Sequence, residues 1–281
     1  MSLLYFKRRA INWLSVLLAC AAMAAGLMCL LWILFGLIKN GLSGLSLAIF
    51  TLNTQPSGMT GGLKNALMGS IMIICYALLI GAPFGLMVGT YLAEFGKNNK
   101  LAKIIRFIND ILLSLPSILL GLFIYQLVVV KMQHFSGWAG SLALSLLVIP
   151  IIARTTEDMF ILVPNWLRES AFALGAPSWK VIFYIVLRIS RTGVATGVLL
   201  ALARISGETA PLLFTALNNQ FWSTDMNRPM ANLPLVMFQY ATSPYEDWHQ
   251  LAWTGALLIT IAILSLNVVV RFALKQKPPL T

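Results

Sequence analysis

Arg204 and Glu208 stand four residues apart in RTGVATGVLLALARISGETAPLLFTAL, a segment that is otherwise almost wholly apolar. That spacing puts both side chains on one face of a helix, within pairing reach. Arg204 lies thirteen residues beyond Arg191, about 20 Å of helix, so a span over 192–217 carries the pair near the middle of a bilayer. A charge at that depth costs about 2.5–3.5 kcal/mol or more, and so faces protein or water rather than lipid. The planar guanidinium fork suits a tetrahedral oxyanion in transit. Glu208 would neutralise Arg204 when the path is empty and compete with the anion for it, which keeps binding weak enough for release. The competing reading is an ion pair that orients the bundle, a weak source of stability because desolvation offsets most of the attraction. Gly207 and Pro211 bracket the pair, so the helix bends or opens there. Ser206, Thr209 and Thr215 are lesser candidates for lining a path. Arg154, at the inner end of a preceding apolar run, is either a second anion contact at the exit or an ordinary snorkelling arginine.

These residues need a membrane to position them. The chain has 281 residues, is 59% hydrophobic and only 10% charged, against roughly 25% charged in a soluble domain. Long apolar runs place spans at about 12–38, 65–92, 111–131, 135–153, 192–217 and 249–270, most of them reaching the ~20 residues a bilayer core requires. The first run continues to Ile38, too long for a cleaved signal sequence, and reads as a retained anchor. Six spans with the N-terminus inside leave Lys39, Lys64, Lys131 and Arg228 outside, fifteen Lys and Arg inside, and Arg204 in the membrane. This bias puts both termini in the cytoplasm and accounts for the net charge of +11 without nucleic acid. The expectation is an all-α, multi-pass membrane protein forming a single domain over 1–281.

Smaller features fit the same frame. Gly81, Gly85 and Gly89 recur every four residues on one face of the second span, a seam for close helix approach, with Pro83 a kink site in the same helix. Gly193 and Gly197 make a similar seam before Arg204. Pro116 in SLPSILLG frees a backbone carbonyl in the third span, with Ser114 and Ser117 beside it. GTYLAEFGKN is no phosphate loop: six residues separate its glycines, no Ser or Thr follows the lysine, and no strand precedes it. Cys20, Cys29 and Cys75 fall in spans as small packing residues, and the two histidines have no metal-ligand spacing. No metal, cofactor or catalytic constellation is implied.

The segment 154–191 is the longest inside stretch. Asn165 can cap a helix through WLRESAFAL, Gly175 supplies a left-handed stop, Pro177 blocks continuation, and Ser178 can cap a second helix through WKVIFYIVL. The first helix displays Trp166, Leu167, Ala171, Phe172 and Leu174, more apolar than a solvated loop. It suits either a partner or the chain's own bundle and membrane.

ESAFALGAPSWKVIFYIVL resembles the EAA motif of ATP-binding-cassette importer permeases. Glu169, Ala171, Gly175, Ile185 and Leu187 match at the motif spacing, Ser170 replaces the first alanine, and Arg188 stands where the pattern has proline. The resemblance implies that the 154–191 loop docks on a separate ATPase through Glu169, Ser170, Ala171 and Gly175. GGLKNALMGS, YLAEFG, RFINDILLSLPSILLGLF and ARISGETAPLLFTA extend the likeness over nearly the whole chain, to permeases of phosphate-specific importers. That resemblance implies a type I importer permease fold in a bacterial inner membrane. The expected partners are a second homologous permease, an ATPase dimer and a periplasmic phosphate-binding protein, and the chain itself is not an enzyme. An importer of another oxyanion such as molybdate or sulfate remains open from residue chemistry, as does a secondary transporter or channel.

Overall fold

The computed structural model describes residues 3–97 and 99–273. Lys275 and Lys277, counted above as inside charges, lie outside the described residues. The chain is helical: α1 (Leu3–Ser43), α2 (Ala48–Thr51), α3 (Lys64–Glu94), α4 (Lys100–Ser114), α5 (Ser117–Met132), α6 (Gly137–Ile161), α7 (Asn165–Ala173), α8 (Ser178–Ser206), α9 (Ala210–Thr215), α10 (Leu233–Ala241) and α11 (Glu246–Ala273). Five of these, α1, α3, α6, α8 and α11, are long and apolar enough to cross a membrane, and the bent pair α4–α5 makes a sixth span. Six crossings return the chain to its starting side, in keeping with the charge bias.

α6 is the axis of the bundle and the most buried of the spans. α3 lies against it through its glycine seam: a Cβ at Gly81 would meet Val148, one at Gly85 would meet Ile152, and one at Gly89 would meet Thr156. α8 packs on the other flank, where Gly193 faces Met159 and Gly197 faces Thr155. Missing side chains bring backbones close, and in lipid that dispersion contact is the main source of helix affinity. The interior is filled by Ile73, Leu144, Val148, Ile152, Ala201, Ile205 and Leu212. α3 runs unbroken past Pro83. α1 touches the bundle through its outer end, where Gly41 meets Leu257 and Gly44 meets Thr254 of α11.

Three boundaries differ from the expected ones. The third span folds at Pro116, where α4 and α5 meet at 105°. Pro116 has no N–H and disfavours helix at the residue before it, and Leu115 is extended at ψ 137°. Asp110 therefore lies within a helix, not in a loop. The fourth span does not end near Ala153 but continues to Ile161, so the non-helical inside segment starts only at Leu162. The fifth span is not one helix over 192–217: α8 starts at Ser178 and ends at Ser206. Gly207 closes it, and Pro211, buried at the start of α9, opens the next short helix.

On the outer face, Asn65 pins two loops to the start of α3. Its Nδ2 donates to Thr54 Oγ1 at 2.8 Å and to the Asn219 carbonyl at 2.9 Å, and its Oδ1 accepts from the Thr54 N–H at 3.0 Å. These polar groups are buried and therefore need such partners.

Candidate functional site

Arg204 sits in the last turn of α8 and Glu208 just past its end. The pair forms across the helix stop, with Nε 3.6 Å from Oε1, and so does not ride one helix face as the spacing suggested. The Arg204 side chain is 41% exposed and that of Glu208 17% exposed. Antiparallel packing fixes the depth. Gly197 is level with Thr155 on α6, and Arg204 lies seven residues further, about 10 Å outward. A half-exposed guanidinium at that depth faces water or another protein chain, since lipid would not accept it.

The lesser lining candidates divide. Ser206 and Thr215 turn into the bundle: Ser206 donates to the Leu202 carbonyl and Thr215 to the Pro211 carbonyl, both at 2.7 Å. Both are buried. Thr209 stays half-buried in the break.

Arg154 is not at the end of its helix. It lies inside α6, between Asp158 on the same helix at 3.5 Å and Asp110 on α4 at 4.0 Å. All three side chains are about half exposed. Two carboxylates around one guanidinium leave the cluster net negative. Close by, Asn109 donates to the Pro150 carbonyl at 3.3 Å.

The cytoplasmic corner is built from caps other than those the sequence suggested. Asn165 and Ser178 are first helical residues. Pro164 and Pro177 hold the capping positions and make no side-chain cap bonds, since proline carries no side-chain acceptor. Gly175 adopts φ +79°. The Ala176 N–H returns to the Ala171 carbonyl at 3.1 Å and the Gly175 N–H to the Phe172 carbonyl at 2.9 Å, closing α7 with a left-handed cap. Ala171 packs inward against Ala93, Phe160, Val181 and Val194, while Glu169 and Ser170 are exposed. α8 runs through Arg188 without a break, as the missing proline allows. Between the corner and Arg188, however, residues Val181–Val186 wind as a π-turn.

Two buried ion pairs at this end escaped the sequence reading. Arg106 Nε donates to Glu157 Oε1 at 2.7 Å, and its Nη2 and Nη1 reach the Leu92 and Gly96 carbonyls at 3.1 and 3.4 Å. Arg168 grips Glu94 with a fork, Nη2 to Oε1 at 2.7 Å and Nε to Oε2 at 3.1 Å, and also donates to the Phe160 carbonyl at 2.8 Å. The signal was present in composition. With nine acids against twenty bases, each acid is scarce, and six of them are held in ion pairs: Glu94, Asp110, Glu157, Asp158, Glu208 and Asp225.

Residues 81–276 match the family of binding-protein-dependent transport system inner membrane components. The chain belongs to this family. It is a multi-pass inner-membrane subunit of that transport class. Among curated relatives, the phosphate transport system permease protein PstA of Yersinia pestis is 55% identical over 271 residues, covering 96% of this chain and 92% of that protein. The protein of the same name from Haemophilus influenzae is 54% identical over 276 residues, covering 98% of each. A Mycobacterium tuberculosis relative, PstA 1, is 32% identical over 94% of this chain and 89% of its own length. Among solved structures, an inward-facing form of the MetNI methionine ABC transporter superposes with a TM-score of 0.58 at 19% identity, covering 76% of this chain and 95% of that one. That likeness carries the fold, the type I importer permease architecture.

Proposed function

We propose that this chain is the permease subunit of an ATP-driven importer that moves inorganic phosphate from periplasm to cytoplasm by alternating access. The observation that carries the reading is near-full-length identity above 50% to permeases named for phosphate transport. Its partners are a second, homologous permease, a dimer of ATPase subunits and a periplasmic phosphate-binding protein. ATP is hydrolysed on the ATPase and not on this chain.

In this reading Arg204 offers its fork to phosphate at mid-depth. Glu208, held 3.6 Å away, occupies the guanidinium when the path is empty and displaces the anion afterwards. Gly207 and Pro211 let the backbone open there, and Pro116 gives the neighbouring span a matching point of bend. Arg154 meets phosphate at the exit, where Asp110 and Asp158 already compete for it, so the anion is passed on rather than held. Glu169 and Ser170 present the exposed side of α7 to the ATPase. Ala171 fixes that helix to its own bundle, and Gly175 turns the chain back toward the membrane.

The test is uptake of labelled phosphate by the assembled importer in proteoliposomes. Wild-type uptake that excess molybdate and sulfate do not compete away, and that Arg204→Ala abolishes, supports the reading. Retained uptake in Arg204→Ala removes Arg204 from the path, and efficient competition by molybdate or sulfate makes the substrate another oxyanion.

A further inference from the structure

α7 is joined by the chain to α6 on one side and to α8 on the other, and it touches α3 as well. Which of these takes up a push on α7 depends on how stiff each connection is.

The connection to α8 combines a flexible corner with side-chain packing, since Ala171 of α7 shares a buried cluster with Val181, Val186 and Val194 of α8. The chain leaves α7 through Gly175 at φ +79°, passes Pro177, and enters α8 through the π-turn at Val181–Val186. A π-turn carries one residue too many for the α-helical ladder, and such turns are frequent at functional sites; α5 holds another over Tyr125–Val129. Beyond its π-turn, α8 meets α6 closely along the Gly193–Gly197 seam, and the Ser190 hydroxyl donates to the Met159 carbonyl at 3.2 Å. The connection to α3 and α6 is stiff. The Arg168 side chain, 14% exposed, holds the 12%-exposed Glu94 carboxylate at the end of α3 through a bidentate fork. The same guanidinium donates to the Phe160 and Val163 carbonyls at the end of α6. Around it lie Ala93, Phe160, Val163 and Ala171, together with Val181, Val186 and Val194 of α8. Within such a low-dielectric setting the pair is little screened by salt. A planar fork fixes orientation as well as distance.

We infer that the Arg168–Glu94 clamp is the mechanical transmission of this subunit: it makes α7, α3 and α6 move as one body. Arg168 and Glu94 are positioning residues, not contacts for substrate or ATPase. The inference rests on the proposed function only in that a partner ATPase pushes on α7.

The test uses the complete importer in proteoliposomes with Arg168→Glu, Glu94→Arg and the charge-reversed double variant, reading phosphate taken up per ATP hydrolysed. Each single variant is expected to keep hydrolysing ATP while uptake per ATP falls on the order of tenfold or more, because a buried charge is left facing a like charge. The double variant is expected to recover severalfold over either single one. Single variants that transport per ATP as the wild type does, or a double variant no better than the worse single one, overturn the inference. Should the single variants fail to assemble, the wild-type frame decides the matter. Cys20, Cys29 and Cys75 are replaced by serine, and spin labels are placed at exposed Ala173 on α7 and Met87 on α3. Their separation should stay constant between ATP-free and ATP-trapped states. A changing α7–α3 distance overturns the clamp. A wild-type importer that hydrolyses ATP but moves no phosphate overturns the proposed function alone, since the spin-label distances are read without substrate.

Discussion

Arg106 Nε lies 2.7 Å from Glu157 Oε1, tying α4 to the central helix, and the Glu157 side chain is only 5% exposed. Removing the carboxylate leaves the guanidinium with carbonyl partners only. We expect Glu157→Leu to lower stability by about 1–3 kcal/mol, below the usual range for a broken buried pair because Arg106 is partly open to solvent. Glu157→Gln, whose amide oxygen can still accept from Nε, should cost less. Thermal unfolding of purified protein followed by size-exclusion fluorescence ranks the two. Equal midpoints for Leu and wild type would show that the pair does not hold α4 in place.

The α3–α6 seam admits no side chain. A Cβ at Gly85 would sit 2.8 Å from Ile152 Cβ and 2.9 Å from the Ile149 carbonyl. Gly85→Val should therefore destabilise by about 1–3 kcal/mol or reduce the yield of folded protein. Gly26→Ala meets nothing within 4 Å and should be neutral in the subunit alone. The comparison separates close packing from any general intolerance of glycine replacement in a membrane helix.

Gly175 has open space around it but a left-handed backbone at φ +79°. Gly175→Ala should cost only about 1 kcal/mol of strain and leave transport near normal. Gly175→Pro cannot adopt that φ and loses the N–H bonded to the Phe172 carbonyl. It should leave ATP hydrolysis running while uptake falls sharply. Normal transport by the proline variant would remove the corner from the coupling route.

If Glu208 competes with the anion for Arg204, neutralising it should strengthen binding and slow release. Glu208→Gln is expected to lower the KM for phosphate and lower kcat together. An unchanged KM with reduced kcat would point instead to a structural role for the pair.

Tyr240 in the outer helix α10 is buried, stacked on Trp248 at 4.5 Å, and its hydroxyl is pushed up to about 12. Burial is the main cause; Asp247 adds to it and the hydrogen bond with Thr54 works against it. A raised value means the fold favours the neutral phenol. Its contribution is complete below pH ~10, the ordinary tyrosine value, and is lost as pH rises toward 12. Tyr240→Phe should flatten the alkaline fall in unfolding midpoint over that interval relative to wild type. Identical profiles would place the alkaline loss elsewhere.

Much of this protein was settled by the order of its residues. Apolar runs long enough for lipid dictated helices, and the skew of Lys and Arg set their direction, because both follow from local transfer energies. The glycine seams and the Gly175 corner were legible for the same reason: absence of a Cβ acts at one position and needs no partner to be recognised. Arg204 and Glu208 were visible because charge in an apolar run is conspicuous. What sequence could not supply was where helices stop and which distant groups meet. Pro116 and Gly207 could kink a helix or end it. The surrounding packing decides which, and here it ends both, so Glu208 lies off the helix that holds Arg204. Ser206 and Thr215 found carbonyls in their own turns, and Arg154 acquired two carboxylates, one of them from α4. The Arg168–Glu94 and Arg106–Glu157 pairs join residues 74 and 51 positions apart. Pairing at such separation is fixed only when α3, α4, α6 and α7 dock, because the helices set the geometry and the charges follow it.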